Sequence, residues 1–146
     1  MLRSAAKNHE SVAVVIDTAD YTGLLDEMKS SGGCVSRETR VKLAVKAFEA
    51  VALYDASIAN YLSGLDRETH KRVEYPGSMT LQFQRREVMR YGENPHQSAA
   101  FYVEANKSSG SVASAVQRQG KALSYNNIAD TDAALQCVQA FSGLSC

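Results

Sequence analysis

The sequence predicts an α/β protein assembled from parts of two domains, on three observations. An unbroken apolar run, "VAVVI" at residues 12–16, fits a strand buried on both faces, as in a parallel sheet. A long segment at residues 36–62, "SRETRVKLAVKAFEAVALYDASIANYL", repeats its apolar residues at helical spacing. Between residues 63 and 78 the pattern gives way to "SGLDRETHKRVEYPGS", polar and closing on Pro-Gly. Such a stretch marks a linker or domain boundary, after which a second set of elements begins.

In chain order, "RSAAKNH" at residues 3–9 reads as the tail of a helix running into the apolar strand. "DTADYTGLLDEMKSSGG" reads as a second helix, with Thr18 or Asp20 capping its start. Leu24, Leu25 and Met28 share one of its faces, and Gly32–Gly33 end it. In the long helix Ser36 is the N-cap; Val41, Ala44, Val45, Phe48, Val51, Ala52, Ile58 and Leu62 form the buried stripe, which reads as core and not as a cofactor site. The basic trio His70, Lys71 and Arg72 reads as solvated surface. "TLQFQRREVMRYG" alternates through Leu81, Phe83 and Arg85 as a strand, and "SAAFYVE" at residues 98–104 supplies another. "SVASAVQRQGKALSYNNIADTDAALQCVQAF" reads as strand, polar loop and helix, with Asp130 or Thr131 as cap and Ala133, Ala134, Val138 and Phe141 facing inward. One helix tail, one strand and two helices are too few to cover both faces of a parallel sheet. The front half is therefore expected to be cut from something larger, and so is the back half.

Composition excludes several classes. Forty-five per cent hydrophobic residues argues against global disorder. Sixteen basic residues balance sixteen acidic ones, so no bulk attraction to nucleic acid or membranes is expected, though a local anion site is compatible with it. The longest apolar run is too short to span a bilayer. Lys7, Asn8, His9 and Glu10 interrupt the apolar core that a secretory signal needs. Cys34, Cys137 and Cys146 are odd in number and lack metal-ligand spacing, which fits reduced thiols in a cytoplasmic protein.

Three short constellations carry chemistry. In "MRYGENPHQSAAFY", Arg90 offers a planar donor fork for phosphate or carboxylate, and Tyr91 adds a hydroxyl and an aromatic face. Gly92 admits a close backbone approach, Asn94–Pro95 fixes a turn, and His96 can move a proton near neutral pH. A plain structural turn, with Arg90 paired to Glu93 and His96 bonded to backbone, accounts for the same residues. In "GKALSYNNIADTD", Asn126 and Asn127 can hydrogen-bond a polar ring or carboxamide, or simply cap a loop, and Lys121 can meet an anion or water. In "SAAKNH", Lys7 sits at a helix end, where a lysine also complements the macrodipole. No P-loop, zinc site or Ser-His-Asp pattern is recognisable.

Taken together and in order, "RSAAKNH", "KAFEAVALYDASIANYL", "MRYGENPHQSAAFY" and "QGKALSYNNIADTDAALQCVQAF" closely resemble the bifunctional purine biosynthesis enzymes in their bacterial form. That family joins inosine monophosphate (IMP) cyclohydrolase to aminoimidazole carboxamide ribotide (AICAR) transformylase, and the resemblance covers nearly the whole chain. It implies that residues 1–65 are the end of a three-layer domain of the methylglyoxal-synthase type, that residues 66–77 are a linker, and that residues 78–146 begin a domain resembling cytidine deaminase without its zinc. By the same resemblance, Lys7 matches a lysine of the cyclohydrolase site and His96 a histidine of the transformylase. Arg90 and Tyr91 match residues that contact AICAR, and Asn127 an amide that contacts the ribotide. The implied formyl donor is 10-formyltetrahydrofolate, with no metal; the implied ligands are AICAR, formyl-AICAR and IMP, and the implied assembly is a homodimer.

The sequence departs from the family at Cys146, about where a strand leading to the family's Lys-His pair should begin. Upstream strands that hold the nucleotide phosphate are also missing. The expectation is thus an internal fragment, inactive by itself in both reactions. The alternative is a non-catalytic module for ribotide binding or dimer assembly.

Overall fold

Small side chains set how closely the first elements approach. Helix α1 (Leu2–Lys7) buries Ala6 completely, and it lies against Ala44 and Ala47 of helix α3 (Arg37–Ser63) together with Val14. Alanines at a helix contact let the backbones come near, and Ala5 and Ile16 close the rim of this cluster. The computed structural model describes residues 1–105 and 109–143; Cys146 lies outside them, while Cys34 and Cys137 are free and exposed. The chain divides into two units, Met1–Leu81 and Gln82–Cys146. The protein is mixed α and β, its one sheet being small and antiparallel among the described residues.

In the first unit the expected strand at residues 12–16 is not formed. A strand exists only with a ladder partner, and no described segment offers one beside it. Val14 is buried instead as a plug against the α1–α3 contact. Helix α2 (Tyr21–Ser30) follows a 3₁₀ turn at Thr18–Asp20, which Asp17 caps by accepting from the Ala19 amide at 2.9 Å; Asp20 stands at the N-cap position of α2, as expected, but without a side-chain capping bond. Asp20 is otherwise engaged: Lys46 Nζ donates to it at 2.7 Å and to Asp17 at 2.6 Å. The glycine pair ends α2 as expected. Gly32 and Gly33 take φ of +68° and +91°, and the Gly33 amide donates back to the Met28 carbonyl at 2.7 Å.

Ser36 caps α3 through the Thr39 amide, as the sequence indicated. The expected inner stripe is corrected. Leu43, Ala44 and Ala47 are buried, whereas Val45, Phe48, Ile58 and Leu62 are exposed. The buried cluster with α1 and Val14 reaches only as far as Ala47, within the first half of the helix. Beyond α3 the polar stretch is tied back to it. Asn60 exchanges two 2.8 Å bonds with the backbone of Thr80, and Ser63 donates to the Ser78 carbonyl at 2.8 Å. Within it Asp66 caps a tight turn through Thr69, His70 takes a φ of +53°, and Arg72 lies over the Tyr61 ring at 4.9 Å.

In the second unit, strands β1 (Phe83–Val88) and β2 (Ala100–Glu104) pair antiparallel where alternation placed them. The register runs from Phe83 opposite Glu104 to Val88 opposite Ala100, and it slips between Arg85 and Glu87. Arg86 is the extra residue of that irregularity. Its guanidinium donates to the carbonyls of Val112, Ala113 at 2.8 Å and Ala115. This explains why the strand expected after residue 110 is a 3₁₀ turn at Val112–Ser114: its acceptors are consumed by one side chain rather than by a ladder.

Helix α4 (Tyr125–Gln139) begins six residues before Thr131, capped by Ser124 and not by Asp130 or Thr131. Its inward stripe is Ile128, Asp132, Leu135 and Val138, half-buried, while Ala133, Ala134 and Phe141 are exposed. Met89, Val103 and Val112 form the buried apolar set of this unit. No helix among the described residues is long and apolar enough to cross a membrane.

Two outcomes follow for stability. Arg86→Met leaves three carbonyls without their charged donor and should lower the stability of the second unit by about 1–3 kcal/mol in urea unfolding. In the first unit the Lys46 hydrogen bond, then the Ala19 amide, hold the Asp17 carboxyl below its ordinary value. A depressed carboxylate stabilises the fold above its unfolded pKa, near ~3.9, and that contribution disappears as pH falls through the folded value. Acid unfolding should therefore show the chain more stable than Lys46→Met at neutral pH, with the gap closing below about pH 4.

Candidate functional site

The loop at residues 90–97 is built from its own side chains. The Gly92 amide donates to the Gln97 carbonyl at 2.9 Å, and Gln97 Oε1 accepts from the Asn94 amide at 2.8 Å. A Cβ at Gly92 would stand 2.9 Å from the Cβ of Gln97, so glycine is required by close approach. The loop is fastened to the start of α4 by three further bonds. Arg90 N–H donates to the Leu123 carbonyl at 2.8 Å, Tyr125 N–H to the Tyr91 carbonyl at 3.1 Å, and the Asn126 amide to the Glu93 carbonyl at 3.1 Å.

This arrangement brings Arg90, Tyr91 and Asn127 onto one substructure. The Arg90 guanidinium lies over the Tyr91 ring at 4.8 Å, and its Nη2 donates to the Tyr91 hydroxyl at 3.2 Å. Ser124, 1 % exposed, accepts the Asn127 amide in a capping box, and Asn127 Oδ1 in turn accepts from Ser124 N and Oγ, each at 3.0 Å. The neighbouring Ser124 side chain, and then Arg90, hold the Tyr91 phenol below the usual tyrosine value. The two asparagines expected in a loop are thus in the first turn of α4. Asn126 is anchored to the loop, and Asn127 is a capping residue with its Nδ2 left over.

The structural-turn alternative fares badly in its particulars. Arg90 makes no ion pair with Glu93, and His96 is exposed with no hydrogen bond to backbone among the described residues. His96 stands on the loop, but among the described residues it makes no hydrogen bond to Arg90, Tyr91 or Asn127. Lys7 belongs to the first unit, exposed in the last turn of α1, with no ion partner among the described residues. Two residues on, His9 Nδ1 is shut off from solvent without a hydrogen-bond partner, 3.8 Å from the Glu10 carboxylate. Lys121 is exposed.

A hollow of about 180 Å³ in the second unit is lined by Arg86, Phe101, Val112, Leu123 and Ile128 among others, and by none of Arg90, Tyr91, His96 and Asn127. The donor groups are instead on open surface. Among the described residues no group of three or more His, Cys, Asp or Glu side chains is placed to hold a metal ion.

Ser124 and Gln97 were missed as site-forming residues in the sequence. A serine followed three positions later by an amide-bearing residue is a capping-box pattern, and it was the available signal for Ser124. Gln97 offers no such signal, because its bond to Asn94 depends on the turn already being made.

The family model of the AICARFT/IMPCHase bienzyme matches residues 5–146, all but the first four residues of the chain. It runs through both units and every constellation described above. The chain belongs to the AICARFT/IMPCHase bienzyme family of purine biosynthesis, which pairs formyl transfer to AICAR with IMP cyclohydrolase activity.

Proposed function

We propose that the second unit holds part of the AICAR site of the transformylase, with Arg90, Tyr91 and Asn127 as its ribotide contacts. The observation that carries this reading is that the loop bearing the stacked Arg90 and Tyr91 is hydrogen-bonded to the start of α4, which brings a guanidinium, a phenol and the Asn127 carboxamide onto one exposed substructure. Arg90 supplies charge and a planar fork for an anionic oxygen, Tyr91 an aromatic face, and Asn127 Nδ2 a donor for the carboxamide or a phosphate oxygen. In this reading His96 serves formyl transfer. The AICAR amine attacks the formyl carbon of 10-formyltetrahydrofolate, the bond from that carbon to N10 breaks, and the amine proton ends on the released tetrahydrofolate. An imidazole near neutral pH is suited to carry that proton.

Lys7 is assigned to the cyclohydrolase reaction, in which the carboxamide nitrogen closes onto the formyl carbon and water leaves. Residues 1–65 then correspond to the end of a methylglyoxal-synthase-like domain, residues 66–77 to a linker, and residues 78–146 to the start of a cytidine-deaminase-like one. A cytoplasmic homodimer completes the reading by family analogy. Among the described residues neither Lys7 nor His96 has a second titratable group at hydrogen-bond distance, and both reactions need proton donors and acceptors in concert. The 146-residue chain alone is therefore assigned binding without turnover, a ribotide-holding module.

Titration of the chain with AICAR should give saturable binding that Arg90→Ala weakens by about 10- to 100-fold, the range for a hydrogen bond to a charged group. Addition of 10-formyltetrahydrofolate should release no tetrahydrofolate. Binding indifferent to Arg90 would sink the site assignment, and turnover would sink the assignment of binding alone.

A further inference from the structure

One residue closes the loop between β1 and β2 three times over. The Gln97 amide donates to the Asn94 carbonyl at 3.0 Å, the Gln97 carbonyl accepts the Gly92 amide at 2.9 Å, and Gln97 Oε1 accepts the Asn94 amide at 2.8 Å. The first and third bonds make residues 94–97 a closed turn, and Pro95 fixes one φ inside it. His96 is the remaining member of that turn. It is exposed, and among the described residues no hydrogen bond holds its imidazole. Gly92 shows that the Gln97 side chain is folded back against the loop. Its φ is not positive, so no left-handed backbone calls for glycine there. What excludes a side chain is a Cβ that would stand 2.9 Å from Gln97 Cβ and 3.2 Å from Oε1. Asn126 ties the loop to α4 through the Glu93 carbonyl at 3.1 Å, one residue before Asn127.

We propose that Gln97 is a positioning residue for His96: its side-chain oxygen turns an exposed hairpin loop into a closed turn that fixes where the imidazole stands on the loop carrying Arg90 and Tyr91. The role rests on the ribotide reading for its ligand, but not for its geometry. A group that moves a proton must stand within hydrogen-bond reach of it. An imidazole on an open loop would have to give up its freedom at that step, and the closed turn removes that freedom beforehand. Gly92 belongs to the same device, since it leaves the room that the Gln97 side chain fills.

Four variants of the full chain test this by NMR, without ligand and with AICAR. Gln97→Met keeps the side chain's length but not its acceptor. Gly92→Ala leaves Gln97 in the sequence and pushes its side chain away. Gln97→Glu keeps an oxygen for the Asn94 amide. Asn126→Ala removes one bond from the same loop and leaves the turn closed. Exchange of the Asn94 amide with water should quicken by about three- to tenfold in Gln97→Met and Gly92→Ala, the worth of one neutral hydrogen bond. It should hold steady in Gln97→Glu and Asn126→Ala. The His96 imidazole, assigned with His96→Gln, should relax as a mobile side chain only in the first two variants. Saturation with AICAR should move its resonance in the natural chain and in Gln97→Glu, and far less in Gln97→Met, whose AICAR affinity stays close to the natural one.

Unchanged Asn94 exchange in Gln97→Met would overturn the proposal, and so would a glutamate variant that behaves like the methionine one. Equal effects of Asn126→Ala and Gln97→Met would do the same, being the mark of a generally loosened loop. So would a His96 resonance that responds to AICAR as fully in Gln97→Met as in the natural chain, or in neither. A natural chain that binds no AICAR defeats the ribotide reading instead, and the ligand-free exchange and relaxation still decide for or against Gln97.

Discussion

A backbone group withdrawn from water must find a partner, and among the described residues this chain has one two-stranded ladder with which to provide them. Outside the helices the work passes to side chains. Arg86 takes three carbonyls of residues 112–115, and Arg40 takes those of His9 and Val35. Asn60 behaves like a strand neighbour, giving and receiving at Thr80, and Asn126 does half as much for Glu93. Each is a polar side chain closing a loop that a sheet would otherwise close. The fold is therefore unusually dependent on side chains whose polar ends are placed by packing, and the candidate site is one more instance of the same construction.

The apolar side of the balance tells a matching story. Ala6, Val14, Ala44 and Ala47 make a core of small residues, good for close approach but modest in buried area. Further along α3, Tyr54, Ile58, Tyr61 and Leu62 continue the same side of the helix with no comparable cover. Charge pairs do part of the fastening, Arg37 to Glu10 through two bonds and Lys46 to both Asp17 and Asp20. These pairs are exposed enough that water and salt weaken them, so they select the arrangement of the first unit more than they stabilise it.

What the sequence disclosed and what it hid divide along physical lines. Ser36 and the glycine pair at 32–33 act within one turn of themselves, so local pattern was enough for the ends of α2 and α3. The alternation through Phe83 and Arg85 found β1 because side-chain period 2 survives a bulge on either side of it. The run at residues 12–16 misled because strand propensity describes a surface that fits a neighbour, and the neighbour is a long-range matter. The 112–115 segment failed for a related reason: its hydrogen bonds are decided by Arg86, 26 residues or more away. In the candidate site, Arg90, Tyr91, His96 and Asn127 stood out as chemistry-bearing types. The fastening of their loop to the start of α4 did not, because it is made by backbone groups and by Asn126, whose partner lies 33 residues away.

The capping box at the start of α4 is compatible with the proposed ribotide contacts, and the residue at position 127 shows why. A capping box commonly has Glu or Gln at this place. A glutamate there would satisfy the Ser124 amide equally well but would bring a negative charge to the surface shared with Arg90, weakening any anion that Arg90 attracts. A glutamine would carry its amide nitrogen one methylene farther out on a looser stem. Asparagine completes the box with its oxygen, remains neutral, and holds its nitrogen close to the helix start, where the N–H groups of the first turn already favour an anionic neighbour. The substitution that makes this helix start slightly unorthodox is also the one that leaves it able to face an anion.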